Sequence, residues 1–525
     1  MIDFYTNQIY TKGILGWEKC TRFRSRAMNY HKKKDEIKKI EIEWVPDKDS
    51  DSPIYKQIVQ YICSRISSGD WVVGSKLPSQ RKLADLFQVN RSTIVTAMEE
   101  LQSFGILKSD AGGGTTISSN TWSLLMSTTP PDWGNYIKSG TFKANVPTIQ
   151  MINKLEFEEG VTRLGTGEIS PSLFPHPMLQ SVFQKLPERI LSLNYLGSLG
   201  LLELRQALSK RLAKQGIDAP PSCILITSGS LQALQLISVC MLKPGSTIYT
   251  ETPSYIKSLQ LFQSAGMKLA GLPMDKEGIN HWEISAMKEG KESSLLYTIP
   301  SFHNPTGVVM SQERRRDLFR FCSNHRLPII EDSAYSELWL EEEPPKALKT
   351  MDKNGMILYS GTVSKTLAPG LRIGWLVGPE SVVERLGDVK MQVDYGSSSI
   401  SQWAVAEFLT SGLYDQHLIT VRQQLKKRRD IALNALDRYF KDIGIWNIPT
   451  GGFYIWVTLK GSISTDQLFY DALKEKLLIN PGSMYDFSKN QGIRLSYAYA
   501  EESELESGIK KLAEVIKGKN YKSHL

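Results

Sequence analysis

Three polar residues follow apolar runs and carry side chains able to do chemistry. They are Asn304 in SLLYTIPSFHNPTG, Asp332 in LPIIEDSAY and Lys365 in MILYSGTVSK. Each run reads as a buried strand, and ligands of open α/β sheets sit at the carboxyl ends of strands, so the three can converge. Tyr335 stands three residues after Asp332, and Arg372 seven after Lys365. A fourth run, CILIT, ends in Ser228-Gly229-Ser230 and enters the helical LQALQLISVCML. A small-residue turn at a helix start offers free N–H groups and the positive end of the dipole to an anion. Taken singly, a capping Asp, a turn Asn and a surface Lys are commonplace. Pyridoxal phosphate is the chemistry that uses the whole set: a lysine for its imine, a carboxylate for its ring nitrogen and anion donors for its phosphate. Asp332 would keep the ring nitrogen protonated, and Asn304 and Tyr335 would hydrogen-bond the ring oxygen. An arginine adds bidentate pairing with phosphate or carboxylate, which lysine cannot reproduce.

The elements that must position these groups span residues 161–517, where apolar β-like runs alternate with amphipathic helical stretches in the pattern of an α/β domain. Ahead of it, 119–160 is a polar connection with Ser/Thr clusters and the Pro130–Pro131 pair, read as a linker. Residues 52–118 form a compact, mostly helical unit. Ile54, Ile58, Ile62 and Ile66 recur every fourth residue and give one helix an apolar face. SQRKLADLF supplies a second helix, QVN a tight turn, and RSTIVTAMEELQSFG a third helix buried through Ile94, Met98 and Leu101. ILKSDAGGGTTIS then reads as a hairpin with a glycine tip. Two helices joined by a turn of about three residues are helix-turn-helix geometry, with the second helix in the major groove. Residues 1–51 read as a disordered basic extension, with Met28 as an alternative start, and 518–525 as a C-terminal tail.

Composition narrows the classes. A chain of 525 residues with 41% apolar and 22% charged content is globular and too long for one core. No apolar run approaches the roughly 18 residues of a membrane span. The five cysteines, Cys20, Cys63, Cys223, Cys240 and Cys322, form no CxxC pair, which argues for a reducing, cytoplasmic setting and against a disulfide framework or a metal site. Residues 12–39 hold ten Lys/Arg against three acidic groups, the makeup of an arm that touches nucleic acid or of a solvated tail. Residues 51–120 hold seven against six, so DNA affinity there would need a second copy or that arm.

The ordered set PIYKQI, LPSQRKLADLF, VNRSTIV and GGGTTIS resembles the GntR-type winged-helix DNA-binding domain over 52–118. That resemblance assigns DNA contact to Arg81, Asn90, Arg91, Ser92 and Thr93, with Gly113 and Gly114 approaching the backbone. Val95 stands where some relatives have an arginine. From 161 to 517, NYLGSLGLLELRQAL, ITSGSLQAL, ETPSY, HNPTG, EDSAY, SGTVSKTLAPGLRIGW and GIRLSYA resemble the fold type I, class I aminotransferases. The resemblance makes Lys365 the internal aldimine and proton shuttle, with Asp332 on the pyridine nitrogen and Asn304 and Tyr335 on the ring oxygen. It places the phosphate on Ser230, Leu231, Thr362 and Arg372, Tyr255 on the ring, and Arg494 on the substrate carboxylate. Tyr195 would reach the phosphate of a neighbouring subunit, which implies a homodimer. Leu231 stands where many relatives have a polar residue, a change that leaves backbone N–H donation intact.

Together the two parts resemble the MocR-type transcription regulators: a winged helix-turn-helix followed by a type I aminotransferase fold of large and small subdomains. The resemblance implies a DNA-binding regulator with an operator as partner, which senses an amino acid or amine by aldimine exchange on pyridoxal 5'-phosphate. The alternative is a working amino acid:2-oxo acid aminotransferase with an accessory DNA-binding domain, since no catalytic residue is missing.

Overall fold

The computed structural model describes residues 40, 42–68, 70–110, 114–118, 139–142, 145–284, 293–486 and 490–518. It divides into two compact units, Met1–Ser139 and Gly140–Leu525.

In the first unit, α1 (Ile54–Ser67), α2 (Gln80–Phe87) and α3 (Arg91–Ser103) precede a hairpin of β1 (Leu107–Asp110) and β2 (Gly114–Ile117). The fourfold isoleucine spacing buries Ile58, Ile62 and Ile66 against Leu83, Phe87, Ile94, Met98 and Leu101. Ser79 caps α2 by accepting from the Lys82 N–H, and Gln88 ends it in the left-handed conformation at φ 54°. The turn before α3 is therefore three residues long. Two features differ from the sequence reading. The hairpin gains a third edge, because Leu77 N–H donates to Thr115 O and Ile117 N–H to Ser75 O. The extension read as disordered to residue 51 joins the fold earlier: Trp44 stacks on Tyr61 at 4.7 Å and meets Phe87 edge-on, and Ile40 and Ile42 pack on the same core. An indole needs apolar cover, and the face of α1 beside Tyr61 supplies it. The basic stretch 12–39 lies outside the described residues.

The second unit is built on an eight-stranded sheet: β3 (Ile224–Thr227), β4 (Thr247–Thr252), β5 (Lys268–Asp275), β6 (Gly278–Ile279), β7 (Ser294–Thr298), β8 (Ile329–Asp332), β9 (Ile357–Thr362) and β10 (Gly374–Val377). Their spatial order is β3-β10-β9-β8-β7-β4-β5-β6. The five central strands from β9 to β5 run parallel, while β10 is antiparallel to β9 and β3. Strands buried on both faces read as continuous apolar runs. Leu358 and Leu376 face the helix Ser230–Met241 through Leu234 and Ile237, whereas Tyr359 and Val377 face Leu204 and Leu208 of the helix Leu202–Lys214. A second, four-stranded sheet, ordered Gly444–Trp446, Tyr454–Leu459, Gly492–Ser496 and Asn480–Pro481, forms the smaller subdomain with the helices Thr465–Lys474 and Glu502–Gly518. The 27-residue helix Leu413–Tyr439 packs against the last of these.

The stretch read as linker is also shorter than 119–160. The helix Pro147–Leu155, opened by Pro147 at its first position, buries Ile149 and Ile152 in the core of this unit. Ile149 and Ile152 are its apolar contacts, but so short an amphipathic helix reads as polar connection until its partner surface is known.

Candidate functional site

Register brings distant residues side by side. Because β8 and β9 pair in parallel with Asp332 opposite Ser360, the carboxylate ends beside the segment leading to Lys365. Asp332 is buried, and its two oxygens are held separately: Tyr297 Oη donates to Oδ2 at 2.7 Å and Ala334 N–H to Oδ1 at 3.0 Å. Burial pushes its carboxyl above the usual range, opposed by the Tyr297 hydroxyl, the Ala334 N–H and the Lys365 charge. A desolvated carboxylate of this kind calls for a cationic partner. Lys365 Nζ donates to Gly167 O at 2.6 Å.

Arg494 is buried and spans the gap between subdomains. It donates to Asn304 Oδ1 at 2.9 Å and to Gly165 O at 2.6 Å. Its guanidinium lies over Tyr454 at 4.0 Å and near Tyr485 at 4.9 Å, and its Nε has no hydrogen-bond partner among the described residues. Tyr335 Oη shares a 2.8 Å hydrogen bond with Tyr454 Oη. Tyr255, half-buried at the start of Ile256–Ser264, lies within electrostatic reach of Arg494, Tyr335 and Tyr485. Asn304, Asp332, Tyr335, Lys365, Tyr255 and Arg494 are thus one cluster.

A second group gathers at the start of Ser230–Met241. Gly229 takes φ 85°, and a Cβ there would stand 2.7 Å from Arg372 Nη2. Arg372 itself sits at φ 53°, a conformation costly for a side chain with a Cβ and retained where the surroundings demand it. Its Nη2 donates to Ser228 O at 2.9 Å, and Thr362 Oγ1 lies 2.9 Å from Ser364 Oγ. A helix start, a side-chain-free cradle and an arginine edge make a donor set of the kind that suits an anion. Leu231 is exposed, so any role there falls to its backbone. Pyridoxal phosphate fits this donor set: Lys365 would bind its carbonyl carbon, Asp332 its ring nitrogen, Asn304 and Tyr335 its ring oxygen, and the Gly229 cradle its phosphate. When bound, it would supply an electron-withdrawing ring and a carbonyl that captures amines. Tyr195 stands apart, exposed, with its ring 4.7 Å from that of Tyr395.

Several participants were missed in the sequence. Tyr297 lies among the buried residues Leu295–Thr298 of its strand, and a buried phenol needs a partner, which was the available signal. Tyr454 follows the Gly-Gly pair of PTGGFYIW, and Gly167 has no room for a Cβ, which would meet Tyr454 Oη at 2.5 Å.

In the small unit Arg81, Asn90, Arg91 and Ser92 are exposed and Thr93 half-buried; Arg81 stands in the first turn of α2, and the others lie at the turn before α3 or in its first turn. Asn90 precedes α3 without capping it, which leaves its amide available. Gly114 takes φ 91° and faces Lys76, whose Cε would be 2.6 Å from an added Cβ. Lys76 is a cation beside the wing that sequence alone did not suggest; Gly113 lies outside the described residues.

Comparison with known proteins follows this division. Residues 160–512 match the family "Aminotransferase class I and II", and residues 54–117 match "Bacterial regulatory proteins, gntR family". An uncharacterized HTH-type transcriptional regulator of Bacillus subtilis, YisV, is 52% identical over 90% of this chain and 98% of its own. The HTH-type transcriptional regulator NorG of Staphylococcus aureus is 36% identical over 84% of this chain and 99% of its own. Among solved structures, the kynurenine aminotransferase of Pyrococcus horikoshii, determined with PMP, superposes with a TM-score of 0.69 at 31% identity, covering 74% of this chain and 99% of that one.

Proposed function

The chain belongs to the class I and II aminotransferase family and carries a gntR-type winged-helix domain, and on that premise we propose that it is a pyridoxal-phosphate-dependent transcription regulator acting in the cytoplasm. The full-length likeness to HTH-type transcriptional regulators favours regulation over metabolism as its task. The observation that carries the sensing role is Arg494, a buried guanidinium joined to Asn304, whose Nε has no hydrogen-bond partner among the described residues. Such a group holds a carboxylate in bidentate fashion. Lys365 would yield its place on the cofactor to the amine of the same ligand, so the effector is an amino acid.

Exposed Leu191, Leu193 and Tyr195, with Tyr195 against Tyr395, support a second copy covering this edge. Two copies would present two winged helices to two operator half-sites. Ligand binding alters operator affinity only if the two states of the dimer bind the ligand unequally.

The experiment is operator affinity titrated with a panel of amino acids for the wild type and Arg494→Ala, beside a steady-state transamination assay. Arg494→Ala should keep the cofactor and bind operator, and lose the response to ligand. A mutant that responds as strongly as wild type would reject the carboxylate clamp, and turnover with no operator binding would favour the enzyme.

A further inference from the structure

A cavity of about 420 Å³ opens between the loop that follows Asp332, the end of Leu202–Lys214 and the start of Leu413–Tyr439. Lys365, Asn304, Tyr335, Tyr255, Arg372 and Arg494 take no part in its lining. Its size lies within the range of small-molecule sites. We infer that it is a second ligand site, for a mono- or bicyclic aromatic carboxylate.

Charge accounting gives the sign of the ligand. Nearly every acid in the wall is already engaged. Glu337 accepts from Arg211, Gln215 and Tyr414, and Asp415 from Arg211. Glu331 accepts the N–H groups of Leu348 and Lys349, and Asp332 is held by Tyr297 and Ala334. The cations Arg422, Lys214 and Lys346 line the same space, and the two lysine ammonium groups and the Nη atoms of Arg422 have no hydrogen bond or ion pair among the described residues. The exposed Glu343 is the one acid left against these three. The Nη edge of Arg422 and the two lysine ammonium groups are thus the groups left to meet an anion.

Arg422 gives the shape. Its guanidinium lies on the face of Trp339 at 3.9 Å, and its Nε donates to Glu337 O at 2.8 Å. The plane is fixed by these two contacts and its Nη edge is left for a carboxylate. Trp339, Pro344, Pro345, Leu418 and Ile419 supply apolar wall for a flat body. The wall also includes Ser333 and Ser336, which bracket Tyr335 in the loop carrying Asp332, so an occupant touches the support of the cofactor cluster.

The test is calorimetric titration of the full chain with benzoate and 2-naphthoate, neither of which carries an amine. Both should bind saturably at one site per chain, with dissociation constants of about 1 mM or below and naphthoate the tighter. Ile419→Glu, at a half-exposed position, should abolish binding by adding a carboxylate to the cavity. Arg422→Gln should weaken it at least tenfold, and Arg494→Ala should leave it unchanged. If neither compound binds, or if Ile419→Glu binds as wild type, the inference is overturned. Loss of binding in Arg494→Ala with retention in Ile419→Glu would place the carboxylate in the cofactor cleft and equally overturn it.

Discussion

The two units hold their functional side chains in opposite ways. In the larger one, Asp332, Asn304, Tyr335 and Arg494 are buried and bonded to one another, to neighbouring tyrosines or to backbone before any ligand arrives. In the smaller one, Arg81, Asn90 and Arg91 are exposed, and their side chains have no partners among the described residues. The first arrangement suits a ligand that must be oriented to a fraction of an ångström, because locked groups lose little on binding. The second suits a polyanion, where free cations gain from counterion release and register is set by the fold. A regulator needs both, one unit to recognise a small molecule and one to recognise a long charged surface.

The sharpest way to break that comparison is a reciprocal pair of substitutions. Lys365→Ala should abolish the borohydride-trapped cofactor adduct completely while leaving ligand-free operator binding within about twofold, a change of ~0.4 kcal/mol. Arg91→Ala should keep the adduct and weaken operator binding by about 1–3 kcal/mol if it reads a base edge. Gel-shift titration and mass spectrometry of the trapped chain measure both. Trapping at another lysine would remove Lys365 from its role. A loss in Arg91→Ala that is equal on all sequences would make it a phosphate contact.

Tyr297 gives a smaller effect and a finer probe. Tyr297→Phe removes the donor to Asp332 Oδ2 and leaves that oxygen buried beside an apolar ring. A hydrogen bond to a charged group contributes about 1.5–3 kcal/mol. Cofactor retention, followed by absorbance on dialysis, should weaken by that order, with the operator affinity of the small unit untouched. Unchanged retention would mean that Ala334 and the cofactor alone hold the carboxylate.

What could be read from the sequence follows from the same contrast. Part of the large-unit cluster was legible because its polar residues follow apolar runs, and parallel pairing then dictates where those ends meet, whereas Tyr255 and Arg494 were marked only by the family resemblance. Asp332, Lys365 and Asn304 announce themselves in this way. Tyr297 and Gly167 did not, because one lies inside a run and the other acts through its carbonyl oxygen. In the small unit the helix periods located α1 to α3, but Trp44 and Lys76 lie in irregular segments whose place depends on tertiary packing. Ile149 and Ile152 failed to stand out for the same reason: a nine-residue helix carries too few turns to establish a period.

Acid stability offers the smallest effect and again separates the units. His417 is buried in the helix Leu413–Tyr439, with no partner for Nε2 among the described residues. Burial pushes its imidazole down to about 4. The unfolded chain, near the ordinary value of roughly 6.5, therefore binds a proton that the fold refuses. Stability from this group is complete above pH 6.5 and is lost as pH falls towards 4, by up to about 1.4 kcal/mol per pH unit. Buried carboxyls such as Glu251 and Glu331, raised by desolvation, act in the opposite sense, so the informative quantity is a difference between variants. Histidine is absent from residues 40–118, so no counterpart exists in the described part of the small unit. His417→Gln should narrow the melting-temperature gap between wild type and variant as pH is lowered from 7 to 4, and only in the transition of the large unit. A gap that stays constant across that range would show that His417 takes up its proton without opening the fold.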